Sequence, residues 1–269
     1  MRGNTFSFSG IIFTGLALTV LSPTAFAADR VIEDTLVYKD PTVAKQDQWV
    51  KGVSVDYWNI NSTLPSTYGD INLRFNQPGI SAFVGYSDIS VLASYRRGTG
   101  TADLNYTIFG NAYAAHESFT DSQIEIDLRW LMHGLQTKFM TPYVLVAHVE
   151  EKFDSTTSLT VNGVNTPLAN PSDTSKTKTN GLGIGGIFPI NAKFGVRADA
   201  RYGRAKTSDE NTGSDSNSVG LVTVTGYYNI TQGLNAQLGA RYEQDGSSSK
   251  GSAEVHITGL YATLGYSFR

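Results

Sequence analysis

Across 269 residues the chain holds 21 Lys and Arg against 24 Asp and Glu, a net charge of −3, and no cysteine. That balance excludes the basic footprint of a nucleic-acid binder, so no nucleic-acid partner is expected. An exported chain without cysteine must hold together without disulfides, and no motif implies a metal or a cofactor.

Residues 1–27 read as a secretory signal peptide: Arg2, the apolar core IIFTGLALTVL (11–21), then Ala25 and Ala27 at the small-residue positions of an A-x-A cleavage site. Residues 28–48 are expected to form a short periplasmic segment, and 49–269 a barrel. No later apolar run approaches the ~20 residues of a membrane helix, so any insertion must be by strands. Ten strands are expected, near 50–61, 67–76, 86–97, 120–131, 141–152, 180–188, 193–205, 217–229, 233–245 and 253–268, with eight as the alternative count.

Alternation with a period of two carries these assignments. ISVLASYR sets Ile89, Val91, Ala93 and Tyr95 against Ser90, Ser94 and Arg96, with Leu92 a mismatch. QIEIDLRW opposes Ile124, Ile126, Leu128 and Trp130 to Glu125, Asp127 and Arg129. KFGVRADARYGR puts Phe194, Val196, Ala198, Ala200 and Tyr202 on one face and Lys193, Arg197, Asp199 and Arg201 on the other. LNAQLGARYE and LYATLGYSF continue the pattern. Short connections (189–192 and 230–233) take turns with long polar ones (98–119, 153–179 and 206–216), which fits periplasmic turns and external loops. Within 153–179, Asn162-Gly163 between β-branched residues predicts a type I′ hairpin turn.

Aromatic residues fall in two sets. Phe75, Trp130, Tyr143, Phe188, Phe194, Tyr228, Tyr266 and Phe268 lie beside the short turns. Tyr57, Tyr95, Phe119, Phe153, Tyr202 and Tyr242 lie beside the long loops. Both sets are read as interfacial girdles. Together these features resemble the small outer-membrane β-barrel proteins of Gram-negative bacteria, the porin-like family. The resemblance implies a closed, all-β, antiparallel up-and-down transmembrane barrel in contact with outer-membrane lipid. It also implies recognition by the barrel assembly machinery through a terminal aromatic, here Phe268 followed by Arg269.

The face opposite the lipid then collects Arg74, Arg96, Glu125, Asp127, Arg129, Arg197, Asp199, Arg201, Arg241 and Glu243. Charges of both signs inside a narrow barrel are read as a salt-bridged plug, the alternative being a charged constriction that selects solutes. GLGIGG (181–186) lacks the lysine and helix of a phosphate loop, so its inward glycines are read as room for bulky neighbours. His148 beside Glu150 and Glu151, and His256 beside Glu254, are acid/base pairs that a rim enzyme would use. No serine-centred or metal-ligand motif accompanies them, and a non-enzymatic protein is expected. The sequence favours an envelope component acting structurally or through its loops, with 153–179 and its Lys152, Lys176 and Lys178 as the surface for an extracellular ligand. A narrow channel, a rim protease or lipid-modifying enzyme, and a soluble exported β-protein are the rival readings.

Overall fold

The computed structural model describes residues 49–66, 69–191, 193–209, 213–231, 233–246 and 255–268. The signal peptide and the 28–48 segment lie outside the described residues. The strands are β1 (Trp49–Ser66), β2 (Gly69–Tyr86), β3 (Ile89–Ile108), β4 (Asn111–Leu131), β5 (Thr141–Val161), β6 (Val164–Thr166), β7 (Ser172–Pro189), β8 (Phe194–Asp209), β9 (Gly213–Asn229), β10 (Leu234–Gly246) and β11 (Val255–Phe268). Ten of them pair antiparallel in chain order, β5 passing directly to β7, and β6 only folds back on β5 as a hairpin. β1 pairs with β11, with Lys51 opposite Phe268 and Ile60 opposite Gly259, and this closes the barrel.

Closure pairs each of the ten wall strands on both sides between the belts, so among the described residues the ladder leaves no open edge there. Both described chain ends share one end of the barrel with the Ser87–Asp88 turn and the connections at 190–193 and 230–233. Short turns mark the periplasmic end of such barrels. The 132–140 connection there contains a short 3-10 helix, His133–Leu135. The His133 Nδ1 lies 2.7 Å from Asp88 Oδ1, which ties this connection to the neighbouring turn.

Two belts of outward aromatics bound the apolar surface. The lower holds Trp49, Tyr86, Trp130, Phe188, Phe194, Tyr228, Tyr266 and Phe268; the upper holds Tyr57, Tyr95, Tyr202 and Tyr242. On β1 the belts stand at Trp49 and Tyr57 and on β8 at Phe194 and Tyr202, a span of about 26 Å along a strand. Tilted as barrel strands are, that span approaches the height of the apolar band of a membrane barrel. Between the belts Val53, Ile80, Val91, Ile126, Leu182, Val222 and Leu264 are exposed to the outside. A continuous apolar girdle of this kind has no place on a water-soluble monomer. The even face of 194–202 therefore belongs to this apolar outer girdle, and Arg197, Asp199 and Arg201 are buried inside. Lys193 instead sits exposed in the turn.

The strands run well past the upper belt, and here the sequence reading needs correction. Residues 98–119, expected as a loop, are strand extensions of β3 and β4 that meet at a tight turn, Phe109 (φ 49°) and Gly110 (φ 81°). The segment 153–179 is likewise mostly strand. Its Asn162-Gly163 turn has the two positive φ values, 51° and 81°, of the expected type I′ geometry. β2 extends to Tyr86 rather than ending near 76. The cause is a reversal of polarity. Above the upper belt the apolar residues move to the inner face and the polar ones to the outer face, as a wall surrounded by water requires, while the alternation persists. Ile71, Leu73, Phe75, Ala102, Leu104, Ala115, Phe119 and Phe153 are buried inside this upper wall. Phe75, Phe119, Phe153 and, lower down, Tyr143 are thus inward residues and not girdle members.

The lipid face makes a direct prediction. Leu238 is 67% exposed near the middle of β10, and Leu238→Arg should cost about 2–4 kcal/mol. Ala198→Arg on β8 should behave alike. Urea unfolding in lipid vesicles measures both, and wild-type stability of the two variants would reverse the assignment of faces.

Candidate functional site

The interior between the belts is a network of paired charges. Five arginines (Arg96, Arg129, Arg197, Arg201 and Arg241) and five carboxylates (Asp56, Glu125, Asp127, Asp199 and Glu243) are buried there. Nine of the ten residues expected in the lumen face inward. Arg74 is the correction: it is exposed on the outside of β2, because it lies above the upper belt, where the inward partners are Leu73 and Phe75. Asp56 belongs in its place. The alternation Val53, Val55, Tyr57 against Ser54, Asp56, Trp58 carried that signal.

Arg201 is the hub. Its Nε is 2.8 Å from Asp199 Oδ1, and its Nη1 is 3.3 Å from Glu125 Oε1 and 3.5 Å from Asp127 Oδ2. Because β8 and β4 are separated by β5 and β7 in the wall, these contacts reach across the lumen. Glu125 also meets Arg96 Nη1 at 3.3 Å, and Arg96 donates to Gln123 at 2.8 Å. Arg241 pairs with Glu243. Trp58 carries two cations, the Arg96 and Arg241 guanidinium carbons lying 5.0 and 4.9 Å from its ring centroid, and it stacks on Tyr261 at 5.2 Å. Arg129 covers the Tyr143 ring at 4.4 Å, and the Tyr143 hydroxyl donates to Asp199 at 3.2 Å.

Large rings fit this crowded lumen because glycines face them. Gly185 lies opposite Tyr143, Gly195 opposite Tyr227 and Gly239 opposite Tyr261, and a Cβ on any of the three would fall within the ring. The inward glycines of 181–186 therefore make room for bulky neighbours, Gly183 for Arg201 and Leu145 as well.

Above the charges the inside changes character. Phe119 packs against Phe75 and Phe153 at 5.6 and 4.8 Å, at the centre of the apolar cluster. Beneath it Gln77 Nε2 donates to Asp121 Oδ2 at 2.7 Å. Burial pushes the Asp121 carboxyl up to about 7, and four residues away on β4 it pushes the Glu117 carboxyl to about 7 as well. Sequence reasoning missed this apolar cluster, since Phe75, Phe119 and Phe153 read as girdle residues and Ala102, Leu104 and Ala115 fall in a segment that reads as loop.

The outer surface of the upper wall is polar. His148 Nδ1 lies 2.8 Å from Asn180 Oδ1 and its Nε2 3.6 Å from Glu150, which also receives Lys178 Nζ at 2.6 Å. Glu151 faces the interior, away from His148. The side chain of His256 and residue Glu254 lie outside the described residues. Lys152 is held by Asp154 at 2.7 Å, while Lys176 is exposed. One strand pair away, His116 Nδ1 is 2.6 Å from Asp103 Oδ1, and its Nε2 is 3.2 Å from Ser118 Oγ. A hollow of about 770 Å³ opens on this outer wall of β2, β3, β4, β5 and β7, and Ser118 lines it.

No protein-family model and no curated protein matches the sequence. Solved structures do. The outer membrane protease OmpT from Escherichia coli aligns over 84% of this chain and 99% of its own, at 10% identity and a TM-score of 0.51. The translocator domain of the autotransporter NalP from Neisseria meningitidis aligns over 88% and 92%, at 9% identity and a TM-score of 0.50. The transport unit of the autotransporter AIDA-I from Escherichia coli covers 95% and 97%, at 11% identity and a TM-score of 0.49. The protein has the fold of these outer-membrane proteins, a closed ten-stranded β-barrel. The expectation of a non-enzymatic protein is corrected: a protease shares this fold, so the fold is compatible with an enzymatic role.

Proposed function

We propose that this chain is exported by cleavage of its signal peptide to the outer membrane of a Gram-negative cell, where it serves as a sealed barrel working through its extracellular wall. The observation that carries the reading is the burial of the lumen cations: Arg96, Arg129 and Arg197 are each 0% exposed. A continuous aqueous path would wet these guanidinium groups. Ten strands enclose far less space than the 16–18 of general porins, and the apolar cluster around Phe119 fills part of the interior above the charges. The extended wall presents polar residues well beyond the lipid, where a rigid scaffold offers a binding surface.

Planar-bilayer recording tests the sealed lumen. Purified protein should give little steady conductance, and stable ion-conducting steps would establish the narrow-channel reading in its place.

A further inference from the structure

We propose that Asp103, His116 and Ser118 form a nucleophilic site on the outer wall that hydrolyses short-chain carboxylic esters of saccharides. This rests on the extracellular placement of the upper wall and not on the sealed lumen. Asp103 and His116 are register partners on β3 and β4, and Ser118 follows His116 by two residues on the same outward face. The carboxylate at 2.6 Å accepts the Nδ1 proton, which fixes the tautomer with a lone pair on Nε2. That lone pair stands 3.2 Å from the Ser118 hydroxyl. Each ring nitrogen is therefore engaged in the sense that general-base activation of a serine requires. An incidental strand contact would need only one of the two bonds.

The surroundings select the substrate. Ser118 opens into the hollow between Thr101 and Thr156, its partners on β3 and β5, and Arg74 follows Thr101 in the same row. Backbone N–H groups of paired strands are committed to the ladder, so side-chain donors of this row must meet a developing oxyanion. The outward side chains of the row are hydroxyls and a guanidinium, which suit a polyhydroxylated ligand and offer a long acyl chain nothing to bury. Thr101, opposite Ser118, lies six residues beyond Tyr95 of the upper belt, which is about 20 Å along the strand. The site is thus in water, above the hydrocarbon.

The chemistry balances without any other reagent. Ser118 Oγ bonds to the ester carbonyl carbon while its proton passes to His116 Nε2. Collapse of the tetrahedral adduct breaks the bond to the sugar oxygen, which leaves as an alcohol with that proton. Water then attacks the acyl-serine and gives a proton to His116. The second collapse releases the carboxylic acid and returns the proton to Ser118. Asp103 is a positioning residue for His116.

The test uses the full chain folded in detergent micelles, with p-nitrophenyl acetate and an O-acetylated oligosaccharide as substrates and a fluorophosphonate as covalent probe. Wild type should release acetate from both substrates and take up one label at Ser118. Ser118→Ala should abolish label and turnover, and His116→Gln should lower turnover about 100-fold. Asp103→Asn should lower it about 10-fold, with partial rescue by Asp103→Glu. Heat-modifiable migration of each variant checks that the barrel has formed, and Lys193→Ala, in the exposed turn at the opposite end of the barrel, should match wild type. Wild-type turnover no higher than that of Ser118→Ala, with no label at Ser118, overturns the proposal. Cleavage of p-nitrophenyl acetate alone keeps the nucleophile and overturns the saccharide assignment. A conducting barrel that still labels at Ser118 overturns the sealed lumen and leaves this site standing.

Discussion

Replacing Arg201 by methionine is expected to lower the stability of the folded barrel by about 3–5 kcal/mol, the range for stripping one partner from a buried charge pair. The guanidinium holds carboxylates from two strands: Asp199 on its own strand, and Glu125 and Asp127 on β4. Its loss would leave three negative groups facing one another in a space with no solvent exposure to screen them. Glu125 would keep Arg96, and Asp199 would keep the Tyr143 hydroxyl, so neither is orphaned completely. The contact across the lumen, however, would be gone. Arg201→Met combined with Glu125→Gln removes one of the excess negative charges and should recover part of the loss. A double-mutant cycle by urea unfolding in vesicles reads the coupling between the two sites. The single variant should also conduct where wild type does not. Unchanged stability and conductance would mean that the lumen is held shut by its rings and not by its charges.

The period-two pattern made most of the barrel legible. Ile124, Ile126, Leu128 and Trp130 against Glu125, Asp127 and Arg129 assign both faces of β4, and the observed burial follows them. Leu92, a mismatch on sequence, is an inward residue that fills the lumen. The reading failed where the solvent changes identity along one strand. In β2, Ile71, Leu73 and Phe75 alternate with polar residues as a lipid-facing strand would, yet they point inward because water lies outside at that height. For this reason the sequence pattern puts Arg74 on the inner face and Phe75, Phe119 and Phe153 in the girdles, where the structure has the reverse. A switch in which parity carries the apolar residues is the signal that was available. On β3 the apolar set moves from Val91, Ala93 and Tyr95 to Ala102 and Leu104. The Asp103–His116–Ser118 arrangement was legible only in part. His116 and Ser118 share a face by spacing, but Asp103 joins them through the register of β3 on β4, and no local pattern fixes that register once 98–119 is taken for a loop.

Gly239→Leu is expected to disturb the interior at a distance from the substitution, costing about 1–3 kcal/mol or more by overpacking. The position has no space of its own, since the Tyr261 ring occupies the place a Cβ would take. Tyr261 cannot yield alone. Its hydroxyl bonds to Thr225, and its face stacks on Trp58 with an interplanar angle of 18°. Trp58 in turn carries the guanidinium groups of Arg96 and Arg241. Displacing one ring therefore loosens two cations whose burial depends on their neighbours. The effect has a built-in reporter. The chain has three tryptophans, and Trp49 and Trp130 are outward at 58% and 54% exposure while Trp58 is 3% exposed. In a Trp49→Phe, Trp130→Phe background, Gly239→Leu should shift the Trp58 emission to the red and lower the urea midpoint in vesicles. Adding Tyr261→Ala vacates the ring's volume and should recover part of the stability, because the leucine then has a place to go. Leu238→Ala, one residue away on the lipid face, should leave the Trp58 emission unchanged. If Gly239→Leu left Trp58 undisturbed, the glycine–tyrosine pairs would be incidental, and the rings would not be part of what closes the lumen.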